Sequence, residues 1–173
     1  MRYQIEDIED QILDTLAAES SLHHVNRETH VGQIDQQMFV DPAYVQGLIT
    51  RLPFIYLQYM GRTTVESDSL HATEIHSLRF RFYVGSQSLR SRKEAQRSAY
   101  AILRGIYDAI HGKVPKPSPG LSGPTQLSGV SITTTGFSPQ GVFVTAGGMD
   151  EQMIMLHSGI CVYQTDYTIR LLA

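Results

Sequence analysis

Between Cys161 and Leu171 every second residue, Cys161, Tyr163, Thr165, Tyr167, Ile169 and Leu171, falls on one side of an extended chain, while Gln164, Asp166, Thr168 and Arg170 fall on the other. A period of two belongs to a pleated strand, because a helix would scatter the same residues around its axis. The spacing predicts a long β-strand whose register is set by the face it buries.

Other stretches repeat the signal. FIYLQYM, bounded by Pro53 and Gly61, is a near-continuous apolar run that suits a strand buried on both faces. Residues 62–68 are polar and predict a connection. Beyond it Leu78, Phe80, Phe82 and Val84 alternate with Arg79, Arg81 and Tyr83, predicting a half-exposed strand that ends at Gly85. Val130 and Ile132, residues 142–144 and residues 153–156 give shorter candidates between Gly-rich turns.

Helical spacing occurs in two places. Ile5, Ile8, Ile12, Leu13 and Leu16 recur at intervals of three and four, with Glu6, Asp7, Glu9, Asp10 and Asp14 on the opposite face and Ser20 and Ser21 as a stop. The acids crowd the first turns, where the helix dipole favours negative charge. Ala95, Ala99, Ile102, Leu103, Ile106 and Ile110 form a second stripe, closed by His111 and Gly112. Residues 22–52 break any sustained period, apart from a short helix over residues 42–49 that begins at Pro42. KVPKPSPGLSGP, with four prolines and two glycines, cannot be helix interior or central strand and predicts a surface loop or extended arm.

The order helix, strand, strand, helix, several strands predicts an α+β fold: a mostly antiparallel β-sheet with two main helices packed on one face. The 173 residues suit one domain over 1–173, with loop excursions at about residues 20–50 and 112–126. With 42% hydrophobic and 18% charged residues, the composition is that of a folded globule rather than a disordered chain. A formal net charge of −3 offers no overall cationic field to draw in nucleic acid, so no sequence-specific nucleic-acid role is expected. One cysteine, Cys161, excludes an intrachain disulfide framework and a Cys-rich zinc site, and fits a reducing cytoplasm. The acidic start lacks an apolar signal segment, and no run of about 18 apolar residues predicts a membrane span.

Chemistry-bearing residues do not converge on a motif. His23, His24 and His30 with Asp35 or Glu28 lack metal-ligand spacing and predict solvated loop positions, and His71 and His76 with Asp68 and Glu74, spaced around a strand start, predict surface positions. No GxSxG elbow, P-loop or GxGxxG is present, and Gly147-Gly148 predicts a turn. Cys161 lies within an apolar alternation, which predicts a packed thiol rather than a nucleophile. No catalytic residue, cofactor or metal is expected.

One local charge feature stands out. Arg90, Arg92, Lys93, Arg97 and Arg104 gather at and along the start of the second helix, where basic charge runs against the dipole. Three readings stay open: a solvated face, an ion-pair surface for a neighbouring acidic subunit, and phosphate contact. For the second reading, Glu6, Glu9, Asp10 and Asp14 of the first helix are the candidate complement to Arg90, Arg92, Lys93 and Arg97 in another copy.

PFIYLQYMG at residues 53–61, FRFYVGSQSLRSRKEAQRSAYAILRGIYDAIHG at 80–112 and ICVYQTDYTIRL at 160–171 resemble the tail terminator (tail-completion) family of Mu-like contractile phages and prophages. The family pattern is a PF-apolar strand ending in Gly, a VYVG turn leading through LR into an Arg-rich helix closed by Gly, and a final VY strand. With the acidic first helix, the likeness touches about half of the chain. It implies a structural virion component, not an enzyme, that forms a ring, usually a hexamer, capping tail tube and sheath and meeting the head-tail connector or neck protein. The expected location is the neck-proximal end of the tail, after assembly in the host cytoplasm. Another neck or head-tail joining protein, or a small hydrolase or metal-dependent enzyme, are the alternatives.

Overall fold

The computed structural model describes residues 4–29, 41–48, 51–68, 73–111, 142–145, 152–157 and 159–172. In chain order these are α1 (Ile5–Ala18), a 3-10 turn (Ser20–Leu22), β1 (Asn26–Thr29), α2 (Pro42–Leu48), β2 (Phe54–Asp68), β3 (Thr73–Gln87), α3 (Arg92–Ile110), β4 (Val142–Thr145), β5 (Gln152–His157) and β6 (Ile160–Leu172). The Pro-rich stretch and the candidate strand at Val130 and Ile132 lie outside the described residues.

The strands form one sheet in the order β1-β2-β3-β6-β4, with β5 pairing a separate part of β6. β1 pairs β2 in parallel, and the other described pairings are antiparallel. The protein is an α+β fold, with a mostly antiparallel sheet and its two main helices on one face. Leu78, Phe80, Phe82 and Val84 of β3, Ile55 and Leu57 of β2, and Cys161, Tyr167 and Ile169 of β6 meet Ile8, Ile12 and Leu16 of α1 and the buried stripe of α3 in one core. Burying each large aliphatic side chain here stabilises the fold by about 1.5–3 kcal/mol before chain entropy is counted. α3 lies against β3 and β6, and α1 lies beside α3 and over β1.

The structure corrects three boundaries. β2 does not stop at Gly61: φ of 115° at that glycine and a register shift between Tyr59 and Gly61 absorb an extra residue as a bulge. The β-branched Thr63, Thr64 and Val65 then suit continued pairing, so the expected connection over 62–68 is strand, and β3 correspondingly begins at Thr73. Within the excursion at about residues 20–50, Asn26–Thr29 form β1, whose parallel partner is supplied by distant β2 rather than by a local hairpin. The short helix at Pro42 is present as Pro42–Leu48, its first turn supported by Asp41 Oδ1 accepting from the Ala43 N–H at 2.9 Å.

The second face of the sheet is not simply solvated. At one end Phe54, Tyr56, Tyr83, Ile160 and Val162 form a second apolar cluster, joined by Tyr44 of α2 and Ile154 of β5. Phe54 and Tyr56, two apart on β2, stack with ring centroids 4.2 Å apart. Tyr83 is buried, so β3 is buried on both faces at this end rather than half-exposed. Gly85 explains how the ring of Phe54 fits: a Cβ built there would lie 2.3 Å from Phe54 Cε1.

Candidate functional site

α3 begins with basic residues, and its local structure makes that tolerable. Ser91 is the N-cap, its Oγ accepting from the Glu94 N–H at 3.1 Å. Ser88 Oγ donates to Glu94 Oε2 at 2.8 Å and accepts from the Arg90 N–H at 3.2 Å. A carboxylate is thereby held in the first turn, where the dipole favours it, among Arg90, Arg92 and Lys93.

From that start a stripe runs the length of the helix. Lys93, Arg97, Tyr100, Arg104, Tyr107 and His111 follow one another at alternating intervals of four and three, and all are exposed. Intervals of that kind keep side chains on one face. It is the face opposite the buried stripe that contains Ala95, Ala99, Ile102 and Ile106. Tyr100 and Tyr107 remain 50% and 42% exposed, large apolar areas for positions on an otherwise polar surface. Tyr163 of β6 donates to the Tyr100 hydroxyl at 3.0 Å, which ties the stripe to the sheet. Burial, followed by the hydrogen bond to Tyr100, pushes the Tyr163 hydroxyl pKa up, so it stays protonated as the donor. Tyr107 stacks on His111 with centroids 4.4 Å apart. Between Tyr100, Leu103, Arg104, Tyr107 and Asp108 lies a shallow depression of about 410 Å³.

The acidic residues of α1 divide. Glu6, Asp10 and Asp14 are exposed at intervals of four and form one stripe. Glu9 sits on the flank of the buried stripe, partly buried, and its carboxyl pKa is raised by burial and then by Glu6 and Asp10. Of the basic candidates, Lys93 and Arg97 lie on the α3 stripe. Arg90 precedes the cap and Arg92 points off the stripe's line, although both are exposed. Leu89, immediately before Arg90, is 92% exposed. Among the described residues no ion pair joins the α1 acids to the α3 bases, although the two helices are neighbours.

A second charged group lies on the far face of the sheet. β3 and β6 place Arg81 opposite Asp166. Arg81 Nε and Nη2 donate to the two carboxylate oxygens at 2.7 and 2.9 Å, and Arg79 also donates to Oδ2. Burial alone would push the Asp166 carboxyl up; the hydrogen bonds from Arg81 and Arg79 overcome it and hold the pKa below the usual carboxylate range. The same bidentate bond raises the Arg81 pKa. This cluster ties β3 to β6 on that face.

The other candidates are scattered. His23 and His24 are exposed after the 3-10 turn, Glu28 lies on β1, and His30, Asp35 and His71 lie outside the described residues. His76, expected at the surface, is instead buried, because β3 is paired on both sides there, by β2 and β6, while Asp68 and Glu74 occupy the paired ends of β2 and β3. Among the described residues no group of three or more His, Cys, Asp or Glu side chains is arranged to hold a metal ion. Cys161 is buried in the core and its thiol is pushed up to about 11, chiefly by burial, which leaves it protonated and weakly nucleophilic at neutral pH. Among the described residues no helix is long and apolar enough to cross a membrane.

The sequence reading missed Tyr100, Tyr107 and His111 as part of the surface, although their spacing from Lys93 and Arg97 was available. It also missed the Arg79, Arg81 and Asp166 cluster, which needs the register of two strands far apart in the chain. Comparison with known proteins returns no matching family model and no curated protein of significant similarity.

Proposed function

We propose that the protein is a structural rather than a catalytic subunit, which associates with copies of itself into a closed ring and acts as the terminator of a contractile phage tail. The sequence resemblance supplies the biological setting: a ring on the end of tail tube and sheath, facing the neck. One observation in the fold supports self-assembly. Two adjacent helices present stripes of opposite charge, neither of which is neutralised by ion pairs with the other among the described residues. A ring needs an interface in which one patch meets a different patch on the next copy, and unlike charges on two elements meet that requirement. Charge complementarity of this kind sets partner choice and register more than raw affinity.

The test is the mass and shape of the purified protein. Light scattering at rising concentration, with electron microscopy of the same sample and of protein mixed with polymerised tail tube, should give rings of uniform size, hexamers on the family pattern. A strictly monomeric species that ignores tail tube would overturn the reading.

A further inference from the structure

We propose that α1 of one copy lies parallel to α3 of the next, in a single register that sets Glu6 by Lys93, Asp10 by Arg97, Leu13 by Tyr100 and Ala17 by Arg104. This rests on the self-assembly reading above and adds to it the two surfaces that meet and their direction. The basis is spacing. Along α3 the exposed stripe advances by four, three, four, three and four residues from Lys93 to His111, and along α1 Glu6, Asp10, Leu13 and Ala17 advance by four, three and four. Helices that share a seven-residue repeat keep their contact rows facing each other as they pack side by side. A helix rises about 1.5 Å per residue, so with Glu6 beside Lys93 the 14 residues of α1 cover α3 from Arg92 to about Gly105.

Chemistry selects the direction. In the parallel register two acids meet two bases, the half-buried Leu13, one side of which packs on its own core, meets Tyr100 at the mouth of the depression with its remaining surface, the small Ala17 faces Arg104, and Tyr107 lies just past the end of α1. Reversing α1 sets Leu13 against Arg97 and Asp10 against Tyr100, which strands an apolar side chain on a charge. The parallel arrangement also brings acids to the N-terminal end of α3, where both the helix dipole and the excess of bases call for them. Half-exposed tyrosines beside arginines are the residue types that dominate interface energies. A single helix pair buries less than the roughly 800 Å² per partner of a standard interface, so each contact is weak and salt-sensitive. Closure of a ring would compensate by making every copy contact two neighbours.

Cysteine cross-linking reads the register directly. Ala17 and Arg104 are both exposed, so the double variant Ala17→Cys/Arg104→Cys should fold, and mild oxidation should give a ladder of covalent multimers on a non-reducing gel. Ala17→Cys/Lys93→Cys, the pair that an antiparallel contact would join, should give none, and the wild-type chain with its buried Cys161 serves as the blank. A ladder from the Lys93 pair instead of the Arg104 pair overturns the direction. Rings without either ladder overturn the helix contact while leaving the ring reading intact. Discrete dimers in which the Ala17/Arg104 pair cross-links to a covalent dimer and no further keep the contact and overturn the ring; a monomer that neither associates nor cross-links overturns both. As a second readout, Glu6→Lys should weaken association at least tenfold and Glu6→Lys/Lys93→Glu should restore it, whereas no rescue counts against the pairing.

Discussion

Arg81 meets Asp166 side-on across β3 and β6, its Nε and Nη2 donating to different carboxylate oxygens, with side chains only 17% and 4% exposed. Pairing of this kind is costly to break from one side, because the surviving charge stays buried. Asp166→Ala should lower stability by about 3 kcal/mol, the lower end of the range for a buried pair. Asp166→Asn, which keeps an acceptor, should cost less. Urea unfolding at neutral pH measures both, and losses under 1 kcal/mol would mean that water screens the cluster.

Two carboxylates should act on stability in opposite directions as pH changes. Asp166 has its native pKa depressed, so its contribution is present above the unfolded value of about 3.9 and is lost as pH falls through the native value. Glu9 has its native pKa raised, so its relative stabilisation is present below the unfolded value of about 4.3 and is lost as pH rises through the native one. Glu9→Gln should therefore raise Tm slightly at pH 7 and leave it unchanged near pH 3. Calorimetry across that range checks the sign, and a lowered Tm at pH 7 would contradict it.

Gly85 and Phe54 should be coupled. A Cβ at 85 would overlap the Phe54 ring, so Gly85→Ala should cost about 1–3 kcal/mol through overpacking. Trimming the ring makes room, and Gly85→Ala should cost markedly less in a Phe54→Leu background. A double-mutant cycle with no coupling would show that the ring moves aside freely.

Ser91→Ala removes the side-chain acceptor at the start of α3 and should cost about 1 kcal/mol. Ser88→Ala should also loosen Glu94, and the combined loss should be smaller than the sum, since both act on that one residue. Thermal unfolding of the two single variants and the double variant separates these outcomes.

Reversing Lys93 and Arg97 together should abolish self-association while circular dichroism stays unchanged. The same reversal at Arg90 and Arg92, which lie off the stripe, should have a smaller effect. Sedimentation at low and moderate salt should show the association weakening as ionic strength rises, and equal sensitivity of the two pairs would move the contact toward the loop before α3.

Periodicity made much of the fold legible, because α1, α3 and β6 each bury a face whose spacing is written in consecutive residues. It failed where the cause lies elsewhere in the chain. β1 is a strand because β2 pairs with it, and nothing within Asn26–Thr29 announces that. Gly61 has the residue identity of a terminator but the backbone of a bulge, and only the pairing with β3 distinguishes the two. For the surface, charge sign could be read directly, so Glu6, Asp10, Lys93 and Arg97 were legible as charged helix positions, and the structure leaves all four exposed. Tyr100 and Tyr107 escaped notice because aromatic residues on a helix ordinarily belong to its buried side.

The double burial of β6 has a consequence for how variable the chain can be. Every residue from 160 to 169 is buried, with the helix-facing core on one side and the aromatic and ionic groups on the other. In a library of random substitutions this strand should form the longest intolerant window, losing function even at Gln164 and Thr168, where polar residues usually accept replacement. The exposed stripe of α3 should accept many exchanges in an assay of folding and few in an assay of assembly. Comparing the two selections position by position would therefore separate the part of the sequence that holds the fold together from the part that the proposed assembly would use.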